Sequence, residues 1–170
     1  MLRIQGDCLS KADKLLLRKA TIYTMDHLLP RRHRANSRII IIVCGPDTKQ
    51  IGAKNWAECR FDTNKNSGLR TVRIWLNSKR IRKTTTTTFK RLRSLVRDLF
   101  HELVHAKQYF KGELVELGGP YYKFKGKRYH NPKDGDLFGY YDQPYEIEAY
   151  GREKGLYIRF RDKMKAEGDE

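Results

Sequence analysis

His101-Glu102-Leu103-Val104-His105 places two imidazoles four residues apart with a carboxylate directly after the first. On a helix, four residues advance by about 400°, so His101 and His105 project from one face a turn apart. Two imidazoles so placed can bind one zinc ion through their ring nitrogens at about 2.0–2.1 Å. Glu102, about 100° further round, lies beside such a metal rather than on it, where a carboxylate can take a proton from water. A catalytic zinc needs one more protein ligand and an open fourth position. The residues offer three candidates downstream, Glu146 and Glu148 in one stretch and His130 in another. Asp98 and Asp142 are candidates to orient an imidazole from behind.

The helix that must carry this motif is predicted from about Phe89 to Phe110, with Gly112 ending it. Leu92, Leu95, Val96, Leu99, Phe100, Leu103, Val104 and Ala106 cover a broad apolar arc. The two histidines fall roughly opposite the centre of that arc, which leaves them free to face a cleft. Pro144 suits a first helical turn, so a last helix is expected from Pro144 toward Met164, with Glu146 and Glu148 near its start.

Upstream, Ser10 with Asp13 three residues later has the form of a capping box, and a helix should run from there to Pro30 and the arginines after it. Ser37–Cys44 reads as a buried strand closed by Gly45-Pro46-Asp47. Ala57–Phe61 and Leu69–Leu76 alternate as a strand pair around a turn-rich Asp62–Gly68. Lys79–Thr88, with five consecutive threonines, reads as a loop. Tyr121–Tyr129 reads as a hairpin turning at Gly126, followed by a loop over Pro132–Gly139. These elements predict one α+β domain over 1–170, its metal-site part at 89–165. The expected core is a sheet of three or more strands packed on the motif-bearing helix and a C-terminal ligand helix.

Composition limits the setting. The chain has 170 residues with Lys+Arg 36 and Asp+Glu 20, a formal net charge of +16. Residues 1–100 hold 23 Lys+Arg against 7 Asp+Glu, and 101–170 hold 13 of each, so the whole excess precedes the histidine motif. Arg31, Arg32, Arg34 and Arg38 form one cluster; Lys79, Arg80, Arg82, Lys83, Lys90, Arg91, Arg93 and Arg97 form another. Such asymmetry is an electrostatic footprint for DNA or RNA, and Arg80, Arg82, Lys83, Lys90, Arg91, Arg93 and Arg97 are the candidate contacts. Three cysteines without a CxxC pair exclude a disulfide-built scaffold, and Cys44 and Cys59 read as small buried hydrophobes. No apolar run reaches the roughly 18 residues of a membrane span, and the N-terminus lacks a signal core. The expected location is the cytoplasm, with no membrane partner.

At His101–Ala106 (HELVHA) the chain resembles small zincin metallopeptidases. The order helix, three strands, HExxH helix and ligand-bearing helix is similar to the minimal gluzincin core also used by the SprT and Spartan families. Arg73-Ile74-Trp75-Leu76-Asn77 resembles the edge strand that precedes the active helix in SprT-like proteins. Glu146-Ile147-Glu148-Ala149 resembles the ExxA motif of gluzincins and ImmA/IrrE-type peptidases, which implies Glu146 as the zinc ligand. SprT-like enzymes use a third histidine there, and Tyr150 stands where many gluzincins carry Asp or Asn. The stretch 143–153 is also similar to small phage-encoded metallopeptidase-like proteins, which implies a bacterial or phage-infected host cell.

The resemblance implies a Zn²⁺-dependent endopeptidase with a protein substrate. Glu102 would be its general base, and Tyr145, Tyr150 or His130 would stabilise the oxyanion. An extended substrate would add to the sheet edge, with Trp75 as the aromatic there. Joined to the basic first hundred residues, this gives proteolysis on or near nucleic acid. Two other readings fit the residues. One is a non-catalytic nucleic-acid-binding or virion-associated protein stabilised by zinc. The other is an ImmA-like protease that cleaves a repressor partner.

Overall fold

The computed structural model describes residues 1–45, 56–62, 69–82, 87–133 and 135–168. Its larger sheet has the strand order β1-β2-β4-β3. These strands are β1 (Leu2–Gln5), β2 (Ser37–Cys44), β3 (Ala57–Asp62) and β4 (Arg70–Asn77). β1, β2 and β4 run parallel, while β3 returns antiparallel to β4. In β2 and β4, Ile39, Ile41, Val43, Val72, Ile74 and Leu76 all point to one buried face. Strand alternation therefore supplies one apolar wall, and the helices close it.

Helix α1 (Lys11–Leu28) starts with the expected capping box, in which Ser10 and Asp13 satisfy each other's ends. The central helix α3 (Thr88–Lys111) is capped by Thr87 and ends at Gly112, whose φ of 68° a side chain would resist. α3 packs on β3 and β4 and is flanked by α1 and by α5 (Pro144–Ala166). Surrounded in this way, α3 buries far more than an amphipathic arc, including His101, Glu102, His105, Lys107 and Gln108. α5 covers most of the histidines' surface, and both line a cavity on the remaining side. A smaller antiparallel sheet of β5 (Leu114–Glu116), β6 (Tyr121–Phe124) and β7 (Lys127–His130) follows α3. Its hairpin turns at Gly126 as expected.

Several expectations need correction. β1 had no sequence signal beyond two alternating apolar residues; it forms because β2 offers a parallel edge, and the Met1 amine donates to Ser37 O at 2.7 Å. β5 is too short for a periodic pattern and forms by pairing with β6. The arginine cluster after Pro30 is a five-residue helix, α2 (Arg31–Ala35), rather than a simple stop. Within the expected loop at 79–88, Ser78–Arg80 makes a 3₁₀ turn capped by the Asn77 side chain. The loop expected over Pro132–Gly139 gives way to a short helix, α4 (Leu137–Tyr141), started by Asp136. β4 is an interior strand, because β2 and β3 pair with its two sides, and the edge strands are β1 and β3. Trp75 is accordingly buried, 8% exposed, with the Arg60 guanidinium over its ring. Pro46-Asp47, 63–68 and 83–86 lie outside the described residues, so the turns expected there, and Lys83, have no structural account.

Asp13 ties the two long helices together. Its carboxylate accepts from Ser10 N at 2.7 Å and Ser10 Oγ at 2.8 Å, and from the Arg91 guanidinium of α3. Burial opposes its charge, but Arg91 and Ser10 outweigh that and hold its pKa below the usual value. Asp13→Ala strands a half-buried guanidinium and is expected to cost about 3 kcal/mol in urea unfolding. A lowered folded pKa means this contribution is full above the unfolded value of about 4 and is lost as pH falls below it. The stability difference between wild type and variant should therefore shrink in acid.

Candidate metal centre

Two helices and one short turn of chain bring the site together. α3 supplies His101 and His105 from successive turns, and α5 supplies Glu146 from its first turn, where the helix dipole favours a carboxylate. All three side chains are buried. His101 Nε2 lies 3.1 Å from His105 Nε2 and 3.2 Å from Glu146 Oε2; His105 Nε2 lies 3.4 Å from Glu146 Oε1. Donors held about 2.0–2.1 Å from a tetrahedral metal are about 3.3 Å from one another. The observed triangle has that size.

The tautomer of His105 follows from its neighbours. Gln108 Nε2 donates to Tyr145 O at 2.9 Å and to Glu148 Oε2 at 3.2 Å, which fixes the amide's orientation. Gln108 Oε1 is then the acceptor 2.9 Å from His105 Nδ1. That nitrogen must carry the proton, so neutral His105 points the lone pair of Nε2 into the triangle. Burial opposes charge on His101, but the Glu146 and Glu153 carboxylates outweigh it and raise its pKa to about 10. Burial likewise opposes charge on Glu146, and the hydrogen bonds from His101 and His105 overcome it and lower its pKa to about 2. A buried His101-His105-Glu146 group of this kind could hold a metal ion. Binding would displace those protons.

Glu102 is 6% exposed and lines the same cavity, outside the triangle. Burial pushes its carboxyl up to about 7, although His105 and His101 oppose this. The cavity has a volume of about 840 Å³ and reaches from the triangle to β3 and α4.

The other candidates fall elsewhere. His130 is exposed on β7, with Nδ1 against Asn131 O and its ring edge-on to Tyr121, and takes no part in the triangle. Glu148 faces away from the triangle and pairs with Lys107 Nζ at 2.8 Å and Arg152 Nε at 3.0 Å. With Gln108 it fastens α5 to α3 and so sets the spacing of the ligand helices. Asp98 holds Arg80 through two bonds of 2.7 and 2.9 Å, and Asp142 closes α4. Of the two expected oxyanion tyrosines, Tyr150 packs its ring 4.3 Å from that of His101 and Tyr145 lies 5.8 Å from that of His105.

Two residues behind the ligands escaped the sequence. Tyr140 of α4 donates its hydroxyl to Glu146 Oε1 at 2.5 Å, and burial pushes its pKa well up, so it stays a donor. Nothing in the sequence linked it to Glu146. Glu153 places Oε2 3.7 Å from His101 Nδ1, a buried nitrogen with no hydrogen-bond partner, and is held by Arg97 at 2.9 Å. Glu153 was findable, since it stands two turns after Glu146 on one helix. Groups that orient ligands from behind are worth about 10–100-fold in metal affinity. Tyr140→Phe should therefore weaken zinc binding by about that factor in a competition titration, with the fold and melting transition retained.

No family model, curated protein or solved structure matches this chain. The site's meaning therefore rests on its own geometry.

Proposed function

We propose that the protein is a zinc-dependent endopeptidase of the HExxH type. The observation that carries this is the triangle of two Nε2 atoms and one carboxylate, set beside an open cavity that Glu102 also lines. Zinc in that triangle would polarise the scissile carbonyl and lower the pKa of water from about 15.7 toward 7. Glu102, lining the cavity beside the triangle, would take the proton from the attacking water and return it to the leaving amine. Tyr140 holds Glu146 in place, and Tyr150 lines the cavity as a candidate donor to the oxyanion. An extended peptide would run along β3, the edge strand that lines the cavity. The similarity of HELVHA and the element order to gluzincin and SprT-like peptidases supports the same reading, with Glu146 in place of a third histidine.

A purely structural zinc would call for four protein ligands and no cleft. Among the described residues the group has three members, and a cavity adjoins it. The test is hydrolysis of an unfolded protein by the zinc-loaded chain, with and without oligonucleotide present. Cleavage that a chelator stops and zinc restores is expected. Full zinc occupancy with no cleavage in either setting would overturn the enzyme reading.

The basic surface open to nucleic acid is narrower than the charge alone suggests. Arg80, Arg91 and Arg97 are taken up by Asp98, Asp13 and Glu153. Arg82, Lys90 and Arg93 are exposed around the start of α3, with Arg93 over the Tyr157 ring. Phosphate binding there predicts salt-dependent, largely sequence-independent affinity. Reversing Arg82, Lys90 and Arg93 should weaken oligonucleotide binding and flatten the log–log salt slope by about 0.7–0.9 for each phosphate no longer neutralised. An unchanged slope would remove nucleic acid from the proposal. No helix among the described residues is long and apolar enough to cross a membrane.

A further inference from the structure

The cavity beside the triangle has two unlike walls. One is polar backbone and mixed side chains from Trp56 through Cys59, along β3. The other comes from α4 and α5, where Leu137, Tyr140, Tyr141 and Tyr150 line it together. Ring centroids step from Tyr140 to Tyr141 at 5.5 Å, from Tyr141 to Tyr150 at 5.5 Å, and from Tyr150 to His101 at 4.3 Å. Successive planes are turned by 76°, 58° and 56°, so the first pair meets edge-on and the next two are tilted, and the run of rings reaches a metal-triangle imidazole.

Core packing does not account for this wall. α5 sends Leu156, Tyr157, Phe160 and Met164 into the core, whereas Leu137, Tyr141 and Tyr150 remain 65%, 51% and 45% exposed. Apolar side chains left in water along a concave wall beside a buried polar centre give a ligand's apolar part a place to be covered. Charge selection has less to work with. Three carboxylates lining the cavity away from the triangle are engaged by arginines, Glu58 by Arg60, Asp98 by Arg80 and Glu153 by Arg97, while Lys133 and the capping Asp136 stand exposed at its α4 end. What the wall offers a ligand is ring faces and edges, and another ring satisfies these best at centroid separations of about 4.5–7 Å.

We infer that the Leu137–Tyr141–Tyr150 wall is a subsite for an aromatic side chain, so the substrates are peptides with Phe, Tyr or Trp beside the scissile bond. The inference rests on the peptidase reading of the metal triangle and adds the substrate's side chain to it. Tyr150 contacts both the wall and His101, and so sets the distance between the bound ring and the reacting carbonyl.

The test uses the zinc-loaded full chain and amino-acid hydroxamates, which anchor at a metal without being hydrolysed. Affinities are measured by calorimetry for the phenylalanine, leucine, alanine, lysine and glutamate hydroxamates and for acetohydroxamate. Phenylalanine hydroxamate is expected to bind about tenfold or more tighter than the alanine, lysine and glutamate compounds. In Tyr150→Ala and Leu137→Ala, checked for zinc content and melting, the ratio of phenylalanine hydroxamate to acetohydroxamate affinity should collapse toward one. Equal affinities, a preference for lysine or glutamate, or a ratio that both variants preserve would overturn the subsite and leave the metal reading standing. If zinc is retained but no hydroxamate binds, acetohydroxamate included, the open-site reading falls and takes the subsite with it.

Discussion

Glu146→Gln is expected to bind zinc about 10²–10³-fold more weakly than the wild type. Structural zinc in peptides is held by about 10–16 kcal/mol over four ligands, or roughly 2.5–4 kcal/mol for each. Glutamine also removes the only anionic member of a buried triangle whose other two members are imidazoles. Without it, His101 and His105 still face each other at 3.1 Å, but no carboxylate oxygen remains in the triangle itself to balance a dication. His130→Ala keeps its zinc, because that ring lies on the exposed hairpin. Glu148→Gln keeps metal in the triangle but loosens the Lys107–Gln108 fastening of α5, so its effect appears in melting temperature. Metal analysis after dialysis, on all three variants and the wild type, reads this directly. Full zinc in Glu146→Gln together with zinc-free His130→Ala would move the third ligand to the hairpin and sink the geometry described here.

Glu102→Gln should behave in the opposite way, holding zinc and losing peptide cleavage by about 10²–10⁴-fold. The substitution is nearly isosteric, and Glu102 is outside the triangle, so neither ligand spacing nor packing should change. What disappears is a carboxylate that can take a proton from water and give it to the leaving amine. Hydrolysis rates of the two zinc-matched proteins, followed under saturating substrate, measure the effect. Cleavage within a few-fold of wild type at equal zinc would mean that another group moves the proton. A variant that also loses zinc would mean that Glu102 belongs to the metal site itself.

The two variants divide the site along the line that separates local from tertiary information. His101, Glu102 and His105 share one helix, so five residues of sequence suffice to place them, and the spacing alone says that the first and last meet. Glu146 was nominated by its place near the start of the last helix and by the resemblance of its ExxA stretch. What separates it from Glu148, two residues on, is the direction of each side chain on α5. Glu148 is drawn to Lys107 and Gln108, and Glu146 to the two imidazoles. Helical phase puts residues two apart on different faces, but only the docked position of α5 decides which face meets α3.

The same division holds for the rest of the fold. Local patterns were enough for the capping box of α1, the strand alternation of β2 and β4, the length of α3 and the hairpin at Gly126, because each is carried by neighbouring residues. The β3–β4 pair was legible as two alternating runs, but the strand order was out of reach, since β2 skips its sequence neighbour β3 to pair in parallel with β4. Tyr140 on Glu146, Glu153 beside His101, and the pairing of Arg80, Arg91 and Arg97 with acids are likewise tertiary. By itself the sequence determined a helix bearing two imidazoles and a carboxylate, the α+β class and a basic first hundred residues. The tertiary structure decided which carboxylate completes the triangle, which strand borders the cavity and which arginines remain exposed. The reason is physical: a side chain's helical phase and charge are local properties, whereas its partner is set by the element packed against it.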